Sequence, residues 1–303
     1  MKAHQSKRLA ALRIFNNKIL TFSSLNILHT FVASVILAQS YKLLKIISTK
    51  EMKLSIVIPA YNEEDSIRQT LLELYKVLGN YNINHEIVVI NDSSKDKTEI
   101  ILQELQLIIP TLIYYTNDGP NGFGNAVRYG LERFNGDCVA VMMADLSDDP
   151  NDLIKFYFKM QEGYDCVFGS RFSKGGKVYD YPKIKLFINR IANFIVKMCF
   201  GFRYNDTTNA FKLYRRETIQ GIKPLLAPHF NLTLELPLKA IVRGYSYTVI
   251  PNSWTNRKHG VSKLKIKEMG SRYFFILLYC LIEKYFSRGD YRKSDVNITN
   301  KVL

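Results

Sequence analysis

The chain has 303 residues, of which 47% are hydrophobic and 23% are charged, and its formal net charge is +15. These values are typical of one large globular domain with appended segments, and the charge favours an anionic partner such as a phosphorylated substrate, a membrane surface or nucleic acid. The four cysteines form no CxxC pair, which argues against a zinc site or a disulfide framework and fits a reducing compartment.

Residues 1–51 are strongly basic and contain one acidic residue, Glu51. No residue between Lys18 and Lys42 is charged, and that interval is long enough to span a bilayer, although polar residues within it weaken this interpretation. Three alternatives stay open: a membrane anchor, an interfacial amphipathic segment, or a non-native extension preceding a true start at Met52. The sequence disfavours a cleaved signal peptide, because no short apolar region with a small-residue cleavage site follows.

From residue 53 onwards, apolar runs typical of buried strands alternate with segments of helical periodicity. The sequence predicts strands over 54–60, 86–92, 111–116, 137–145 and 165–170, and helices over 64–78, 96–108, 122–134 and 151–161. We expect Asn62 to cap the first helix. The alternation predicts an α/β fold whose mainly parallel sheet is flanked by helices on both faces. Ligands then bind beyond the carboxyl ends of the strands, where the loops PAYNEE, NDSSKD and ADLSDDP begin.

Two basic amphipathic segments follow. Residues 183–203 contain five basic residues and no acidic one, with apolar residues at helical spacing between them. This segment is either a helix packed on the sheet with a solvated basic face or a helix that lies on a membrane surface near the site. Residues 273–286 form a second apolar segment, with a run of about ten residues that is too short to span a bilayer. Interfacial docking and coverage of the core are both open for it.

Eight segments taken together, from IVIPAYNEE near the first strand to NRKHGVSKL, resemble family 2 glycosyltransferases of the GT-A fold. Within that family, the chain looks most like the dolichol/polyprenol-phosphate sugar synthases. Two patterns are the most telling: Asp-x-Thr-x-x-Phe at 206–211 and Arg-x-x-Gly-x-Ser-Lys at 257–263. The resemblance implies a GT-A domain over residues 52–265, preceded by the basic extension and followed by a C-terminal amphipathic helix and basic tail at 266–303.

The resemblance also implies an activity. The enzyme would transfer a sugar, with inversion, from a GDP- or UDP-linked donor to a dolichyl or undecaprenyl phosphate, assisted by Mg²⁺ or Mn²⁺. It would be membrane-associated, with its active site facing the cytoplasm. A lipid phosphate is largely ionised near neutral pH, so such a nucleophile needs positioning and charge screening rather than a general base.

The resemblance implies substrate-binding roles for several residues in the loops after the strands. These are Pro59, Tyr61 and Glu63 in the nucleotide pocket, Asn91 and Asp92 at the base or ribose, Gly122 and Arg128 in the wall near the nucleotide, and Asp206 and Thr208 in the Asp-x-Thr pattern.

Catalytic roles are implied for Asp145, Arg171, Arg257 and Lys263. Asp145 matches the second carboxylate of the family's Asp-x-Asp metal motif, and Arg171 would contact a phosphate of the donor or of the acceptor. Arg257 and Lys263 would lie on a loop that closes over the donor. Ser147 would be a second metal ligand, at a position where the family often has Gln.

The sequence departs from the family pattern at Met143, which stands where the first carboxylate of the motif is expected. A thioether is a poor ligand for Mg²⁺ or Mn²⁺, so the metal would depend on Asp145, with Ser147, Asp148 or Asp149, phosphates and water. Acids before a helix that begins with proline are also typical caps, and this alternative applies to Asp148 and Asp149. In a second departure, Lys212 replaces an arginine of the family.

Three other classes of function compete with this hypothesis. A family 2 enzyme that extends a saccharide would need a general base, for which Glu235 and Asp206 are candidates. A non-catalytic binding protein is suggested by Met143. A nucleic-acid binder is disfavoured, because the basic residues form no single groove with stacking aromatics and no known motif is present, so we expect no nucleic-acid partner.

Overall fold

The computed structural model describes residues 52–257 and 266–293, so the predictions for residues 1–51 and for Lys263 lie outside the described part. The strands are β1 (Leu54–Ala60), β2 (His85–Asn91), β3 (Leu112–Thr116), β4 (Cys138–Val141), β5 (Cys166–Ser170), β6 (Lys177–Tyr179), β7 (Lys212–Arg215), β8 (Tyr247–Pro251) and β9 (Ser253–Thr255). The helices are α1 (Ile67–Asn80), α2 (Thr98–Gln106), α3 (Phe123–Leu131), α4 (Pro150–Gln161), α5 (Lys183–Phe200), α6 (Arg216–Gly221), α7 (Leu232–Val242) and α8 (Ile266–Phe286).

Seven strands form one sheet in the order β3-β2-β1-β4-β7-β5-β8. Strand β1 pairs in parallel with β2 and β4, and β2 pairs in parallel with β3. Only β7 runs against its neighbours β4 and β5, while β8 is parallel to β5. Strands β6 and β9 form a separate parallel pair. The mainly parallel sheet predicted from the alternating pattern is confirmed.

Both faces of the sheet are covered by helices. One core packs α1, α2 and α4 against the sheet, with Leu71, Leu102 and Phe156 fully buried. The other packs α3, α6 and α7 on the opposite face, with Val127 and Leu238 among its buried side chains. Each such large apolar side chain contributes roughly 1.5–3 kcal/mol through its burial. The strand ends are therefore held by a rigid scaffold, and the loops that leave them are positioned accurately.

Two local predictions near the strand ends are wrong. Helix α1 begins at Ile67 rather than at residue 64, and Asn62 does not cap it. Asn62 adopts a φ of 50°, and its Oδ1 accepts a hydrogen bond from Lys95 N at 2.8 Å, so it braces the loop after β2. Strand β4 ends at Val141 rather than at residue 145, and the chain then turns at residues 144–146, where Leu146 has a φ of 55°.

Helix α5 exposes the apolar residues that the sequence placed at helical spacing. They are Ile184, Phe187, Ile188, Ile191, Phe194, Ile195 and Met198. Phe187 and Ile184 are 66% and 77% exposed. The buried edge of α5 holds Asn193, Val196 and Phe200 instead. The alternative in which this apolar row packs on the sheet is therefore wrong.

Helix α8 has apolar residues on both sides, one side buried in the core and the other exposed. On one side, Ile276 and Cys280 are buried in the core, and Glu283 forms a buried ion pair with Arg243 at 2.7 Å. On the other side, its exposed apolar residues are Phe274, Phe275, Leu278, Ile282 and Phe286. Its end contacts the end of α5, where Lys284 Nζ donates to Phe200 O at 2.7 Å. Among the helices of residues 52–257 and 266–293, none combines the length and apolarity needed to cross a bilayer.

Candidate active site

The carboxyl ends of β1, β2 and β4 lie side by side, and an acidic residue follows each of them. Glu63 follows β1, Asp92 follows β2 and Asp145 follows β4. Because these strands are parallel neighbours in the sheet, the three loops share one edge. The three acidic loops therefore meet at the edge of the sheet where the sequence predicts the ligand site.

Arg257 joins two of these carboxylates. Its Nη2 lies 2.7 Å from Asp145 Oδ2, and its Nη1 lies 3.6 Å from Glu63 Oε1. The three side chains are 14% (Arg257), 6% (Asp145) and 11% (Glu63) exposed. The position of Arg257 is set by β9, because Thr255 N donates to Ser147 O at 2.9 Å. Three residues far apart in sequence, for which the resemblance implied separate roles, therefore form one charged cluster.

The loop after β4 carries a second buried carboxylate. Ser147 N donates to Asp145 Oδ1 at 3.1 Å, and Met143 N donates to Asp148 Oδ2 at 3.4 Å. Burial, together with the charge of Asp145, raises the pKa of Asp148 to about 7. Asp148 is thus part of the acidic cluster and not a helix cap. Only Asp149 caps α4, accepting from Asn151 N at 2.8 Å.

Asp92 braces the loop that leads into α3. Its two carboxylate oxygens accept from Asn117 Nδ2 at 2.7 Å and from Gly122 N at 2.8 Å. Asn91 is buried, and its Oδ1 accepts from Ser94 N at 3.1 Å. These contacts place Gly122 beside Asp92. They also make Asp92 and Asn91 supports of the loops, whatever they contact in a ligand.

The start of α3 is pressed against a strip of backbone that precedes α7. Gly122 has a φ of 144°, and a Cβ there would lie 2.6 Å from Pro228 O. A Cβ on Gly124 would lie 2.4 Å from Ala227 O. Only glycine permits this approach. Arg128 lies farther along α3 and is half-buried.

Arg171 and Asp206 form a buried bidentate pair. Arg171 Nε and Nη2 lie 2.9 Å and 2.7 Å from the two oxygens of Asp206, and Arg171 N donates to the same carboxylate at 2.9 Å. Burial disfavours the guanidinium charge, but Asp206 offsets this effect and raises the pKa of Arg171. Two of the five guanidinium N–H groups are therefore engaged by Asp206, and contact of Arg171 with a substrate phosphate stays a prediction.

The segment after Asp206 is held from two sides. Thr208 Oγ1 accepts from Asn189 Nδ2 at 2.9 Å, on α5. The Lys212 ammonium is buried and donates to the carbonyls of Thr207, Asn209 and Thr233. Lys212 thus holds three backbone carbonyls at the position where the sequence departs from the family pattern. Sequence reasoning missed Asn189, Asn193, Asn117 and the buried state of Asp148, because their roles depend on contacts between distant segments.

The two residues considered as general bases are engaged elsewhere. Glu235 is fully buried, pairs with Lys239 at 2.7 Å, and accepts from Leu226 N and Ala227 N at 2.8 Å and 2.7 Å. Asp206 is held by Arg171. The remaining predicted residues line the strand end, with Pro59 in β1 half-buried and Tyr61 37% exposed. Across residues 52–257 and 266–293, no three His, Cys, Asp or Glu side chains cluster as a metal-binding group.

A mainly parallel sheet with an acidic cluster at its carboxyl edge is the architecture of a GT-A glycosyltransferase. The chain belongs to Glycosyl transferase family 2, whose sequence model matches residues 55–222. It is therefore an enzyme of the glycosyltransferase class, as the resemblance predicted, and the non-catalytic alternative drawn from Met143 loses its support.

Two curated relatives have names that indicate a lipid phosphate acceptor. The chain is 33% identical to the dolichol-phosphate mannosyltransferase of Pyrococcus furiosus over 222 residues, which cover 71% of this chain and 60% of that protein. It is 27% identical to the polyprenol monophosphomannose synthase of Mycolicibacterium smegmatis over 215 residues, covering 69% of this chain and 80% of that protein. The chain thus spans less than two thirds of the Pyrococcus protein.

Solved structures support the fold. Glucosyl-3-phosphoglycerate synthase from Mycobacterium tuberculosis in complex with UDP superposes with a TM-score of 0.58 at 18% identity, covering 76% of this chain and 80% of that chain. The same enzyme in complex with Mn²⁺, UDP and phosphoglyceric acid also gives a TM-score of 0.58, covering 76% of this chain and 78% of that chain at 18% identity. At this identity, the likeness establishes the GT-A fold alone.

Proposed function

We propose that the enzyme transfers a sugar from a nucleotide sugar to a polyprenyl phosphate at a membrane surface, with inversion at the anomeric carbon. The observation that carries this proposal is helix α5. Its outer side exposes a row of large apolar side chains, and its buried edge is hydrogen-bonded to Thr208 in the Asp-x-Thr segment. A lipid surface on α5 would therefore adjoin the site, and the names of the two relatives point to the same class of acceptor.

The charge of α5 suits an anionic bilayer. Lys183, Lys185, Arg190 and Lys197 lie on the same helix as the exposed apolar row. An amphipathic helix of this kind lies in the interface with its apolar side inserted, and each basic residue near an anionic surface adds about 1 kcal/mol. Exposed apolar residues on α8 extend the apolar area. We infer a membrane-associated enzyme whose site faces the cytoplasm.

The transfer itself is a single displacement. An oxygen of the acceptor phosphate attacks the anomeric carbon on the face opposite the nucleoside diphosphate. The bond from that carbon to the diphosphate oxygen breaks, and its electron pair leaves with the diphosphate. A phosphate dianion carries no proton that must be removed, so no general base is required. Glu235 and Asp206 are held in buried ion pairs, which agrees with a mechanism that needs no general base.

The residues present fit a divalent cation that is shared with the substrate. Asp145 offers a carboxylate, Ser147 lies next to it, and Asp148 adds a second acidic group. Mg²⁺ and Mn²⁺ prefer oxygen ligands and accept several from phosphates and water, so one protein carboxylate is enough to anchor them. When bound, the cation would neutralise charge on the leaving diphosphate. Met143 contributes no ligand.

The other named residues would bind the donor and screen its charge. Glu63, Tyr61 and Pro59 would face the nucleotide, with Asp92 and Gly122 forming the adjoining wall. Arg257 would move from Asp145 towards the diphosphate when the donor binds, since the phosphates offer a stronger negative charge. The donor would be a sugar linked to UDP or to GDP.

The proposal is tested with a panel of labelled UDP- and GDP-sugars, Mn²⁺ or Mg²⁺, and polyprenyl phosphate in phosphatidylglycerol vesicles. We expect one donor to yield a polyprenyl-phosphate sugar of inverted anomeric configuration, as determined by NMR of the product. Transfer to a saccharide acceptor, with none to polyprenyl phosphate, would overturn the proposal and favour the saccharide-extending alternative.

A further inference from the structure

The buried edge of α5 carries an asparagine that the proposed chemistry does not use. Asn193 Oδ1 accepts from Thr207 Oγ1 at 2.7 Å and from Thr208 N at 3.3 Å. Its Nδ2 donates to Thr208 Oγ1 at 3.0 Å and to Asn189 Oδ1 at 2.8 Å. Asn193 is only 2% exposed, so its amide is committed to the segment that follows Asp206.

That segment carries the site's buried ion pair. Asp206 directly precedes Thr207 and holds Arg171 through both carboxylate oxygens. Thr207 O also accepts from the Lys212 ammonium at 3.0 Å. A shift of Thr207 and Thr208 would therefore be transmitted to Arg171 within one residue of chain. On the other side, Asn193 lies next to the exposed Phe194 on α5.

Helix preference alone does not explain an asparagine at this position. Asparagine is among the poorer residues for a helix interior, because its side chain competes for backbone hydrogen bonds. A helix that needed only packing could use an apolar side chain, as it does at Val196, which is also buried on this edge. The polar choice at Asn193 is explained by its contacts with Thr207 and Thr208.

We propose that Asn193 is a positioning residue that couples the seating of α5 on a lipid surface to the Asp206–Asn209 segment, so that lipid contact promotes sugar transfer. The path runs from the exposed apolar side chains through Asn193 to Thr207 and Thr208, and from Asp206 to Arg171. The inference rests on the proposed function, since it requires α5 to meet lipid.

The first test separates the effect of lipid from the supply of acceptor. A short-chain, water-soluble polyprenyl phosphate serves as the acceptor, and rates are measured with and without phosphatidylglycerol vesicles that contain no acceptor. We expect vesicles to raise kcat for the wild type and this stimulation to fall about tenfold in Asn193→Leu, which loses hydrogen bonds worth roughly 1–2 kcal/mol. Asn193→Asp keeps the acceptor for Thr207 but loses the donor to Thr208, so its stimulation should be intermediate.

Matched variants exclude a general loss of structure. Val196→Ala lies on the same buried edge and makes no side-chain hydrogen bond, so it should lower the unfolding temperature yet keep the stimulation by vesicles. Thr208→Val removes the partner from the other end, and combining it with Asn193→Leu should add little to either single change. Equal losses in Val196→Ala and Asn193→Leu, or additive losses in the double variant, would overturn the coupling.

A second measurement does not depend on turnover. Hydrogen–deuterium exchange of the amides in 205–210 should slow when vesicles are added to the wild type, and this change should be absent in Asn193→Leu and reduced in Asn193→Asp. If the exchange of the wild type does not change with vesicles that it demonstrably binds, or if Asn193→Leu slows as much as the wild type, the coupling is refuted. Failure of the wild type to use polyprenyl phosphate would instead refute the proposed function, so the two failures are distinguishable.

Discussion

Arg257 Nη2 lies 2.7 Å from Asp145 Oδ2, so a carboxylate in the loop after β4 is paired with a guanidinium that follows β9. This contact closes the acidic cluster, with Glu63 Oε1 at 3.6 Å from the same guanidinium. A fixed positive charge thus stands beside the group that would anchor a divalent cation. The guanidinium and the cation would compete for one carboxylate.

Replacing Arg257 should reveal this competition. In Arg257→Gln, we expect the Kd for Mn²⁺ without nucleotide to fall about fivefold to tenfold, because a pair of this exposure contributes ~1 kcal/mol. Electron paramagnetic resonance of free Mn²⁺ measures the change directly. Turnover should fall in the same variant, since the proposed screening of the diphosphate is lost.

Arg257→Lys is the matched control for this prediction. It keeps the positive charge but not the two-pronged geometry, so its Mn²⁺ affinity should stay near that of the wild type while kcat falls. An unchanged Mn²⁺ affinity in Arg257→Gln would show that the guanidinium does not compete for Asp145.

Substitution of Asp145 should lower activity without lowering stability, and substitution of Asp149 should lower stability without lowering activity. Asp145→Asn should lower kcat at least about 100-fold with little change in unfolding temperature, because removing a charge-stabilising group costs about 3 kcal/mol or more in the transition state. Asp149→Ala should cost ~1 kcal/mol of stability through loss of the α4 cap and keep its activity. Steady-state kinetics and thermal unfolding of both variants make the comparison, and an active Asp145→Asn would remove the metal assignment.

The periodicity of the sequence was enough to predict the layers of the fold. Buried runs such as 54–60 became strands, and the carboxyl-edge loops lie where parallel strands require them. The antiparallel β7 was not predicted, because no local signal shows which neighbour a strand will pair with. The start of α1 was also missed, since Asn62 contacts Lys95 in a separate loop.

The site was predictable as a set of residues but not as a set of contacts. Asp145, Glu63 and Arg257 were each named from a motif, and the folded chain brings them together. Arg171 was expected to meet phosphate, yet its charge is taken up by Asp206, and only the folded chain shows that pairing. Asn193 carries no motif signal, because an asparagine in an amphipathic helix is unremarkable until its partners are known.

The Arg171–Asp206 pair should be costly to break from one side. Arg171→Met leaves a buried carboxylate without its counter-charge and should cost about 3–5 kcal/mol of unfolding free energy. The double variant Arg171→Met/Asp206→Leu removes both charges and should be less destabilised than either single variant. Urea unfolding of the single and double variants measures the difference, and strictly additive losses would contradict an interaction between them.

Lys212 should make stability depend on pH. Burial lowers its pKa from 10.5 to about 7, with Asp206 opposing and Arg171 reinforcing this shift. Between these values the unfolded chain binds a proton that the folded chain lacks, so the free energy of unfolding should rise with pH across about 7 to 10.5 and be lost as pH falls towards 7.

Comparison with Lys212→Met isolates this contribution from other titrating groups. The wild type should gain stability relative to the variant as pH rises from about 7 to 10, as measured by denaturant unfolding at each pH. A difference that does not change with pH would mean that the three carbonyls facing the ammonium retain its proton.

The exposed row on α5 should determine binding to lipid. Phe187 and Phe194 are 66% and 61% exposed, and inserting each ring into a bilayer would contribute roughly 1.5–3 kcal/mol. Phe187→Ser/Phe194→Ser should therefore reduce partition onto phosphatidylglycerol vesicles at least about 100-fold in a sedimentation assay, while binding of the nucleotide donor is unchanged.

Phe158→Ser is the control, because Phe158 is 48% exposed but lies on α4. Equal losses from the α4 and α5 substitutions would show that exposed rings act without regard to position, and vesicle binding that survives the α5 change would place the lipid contact elsewhere on the chain.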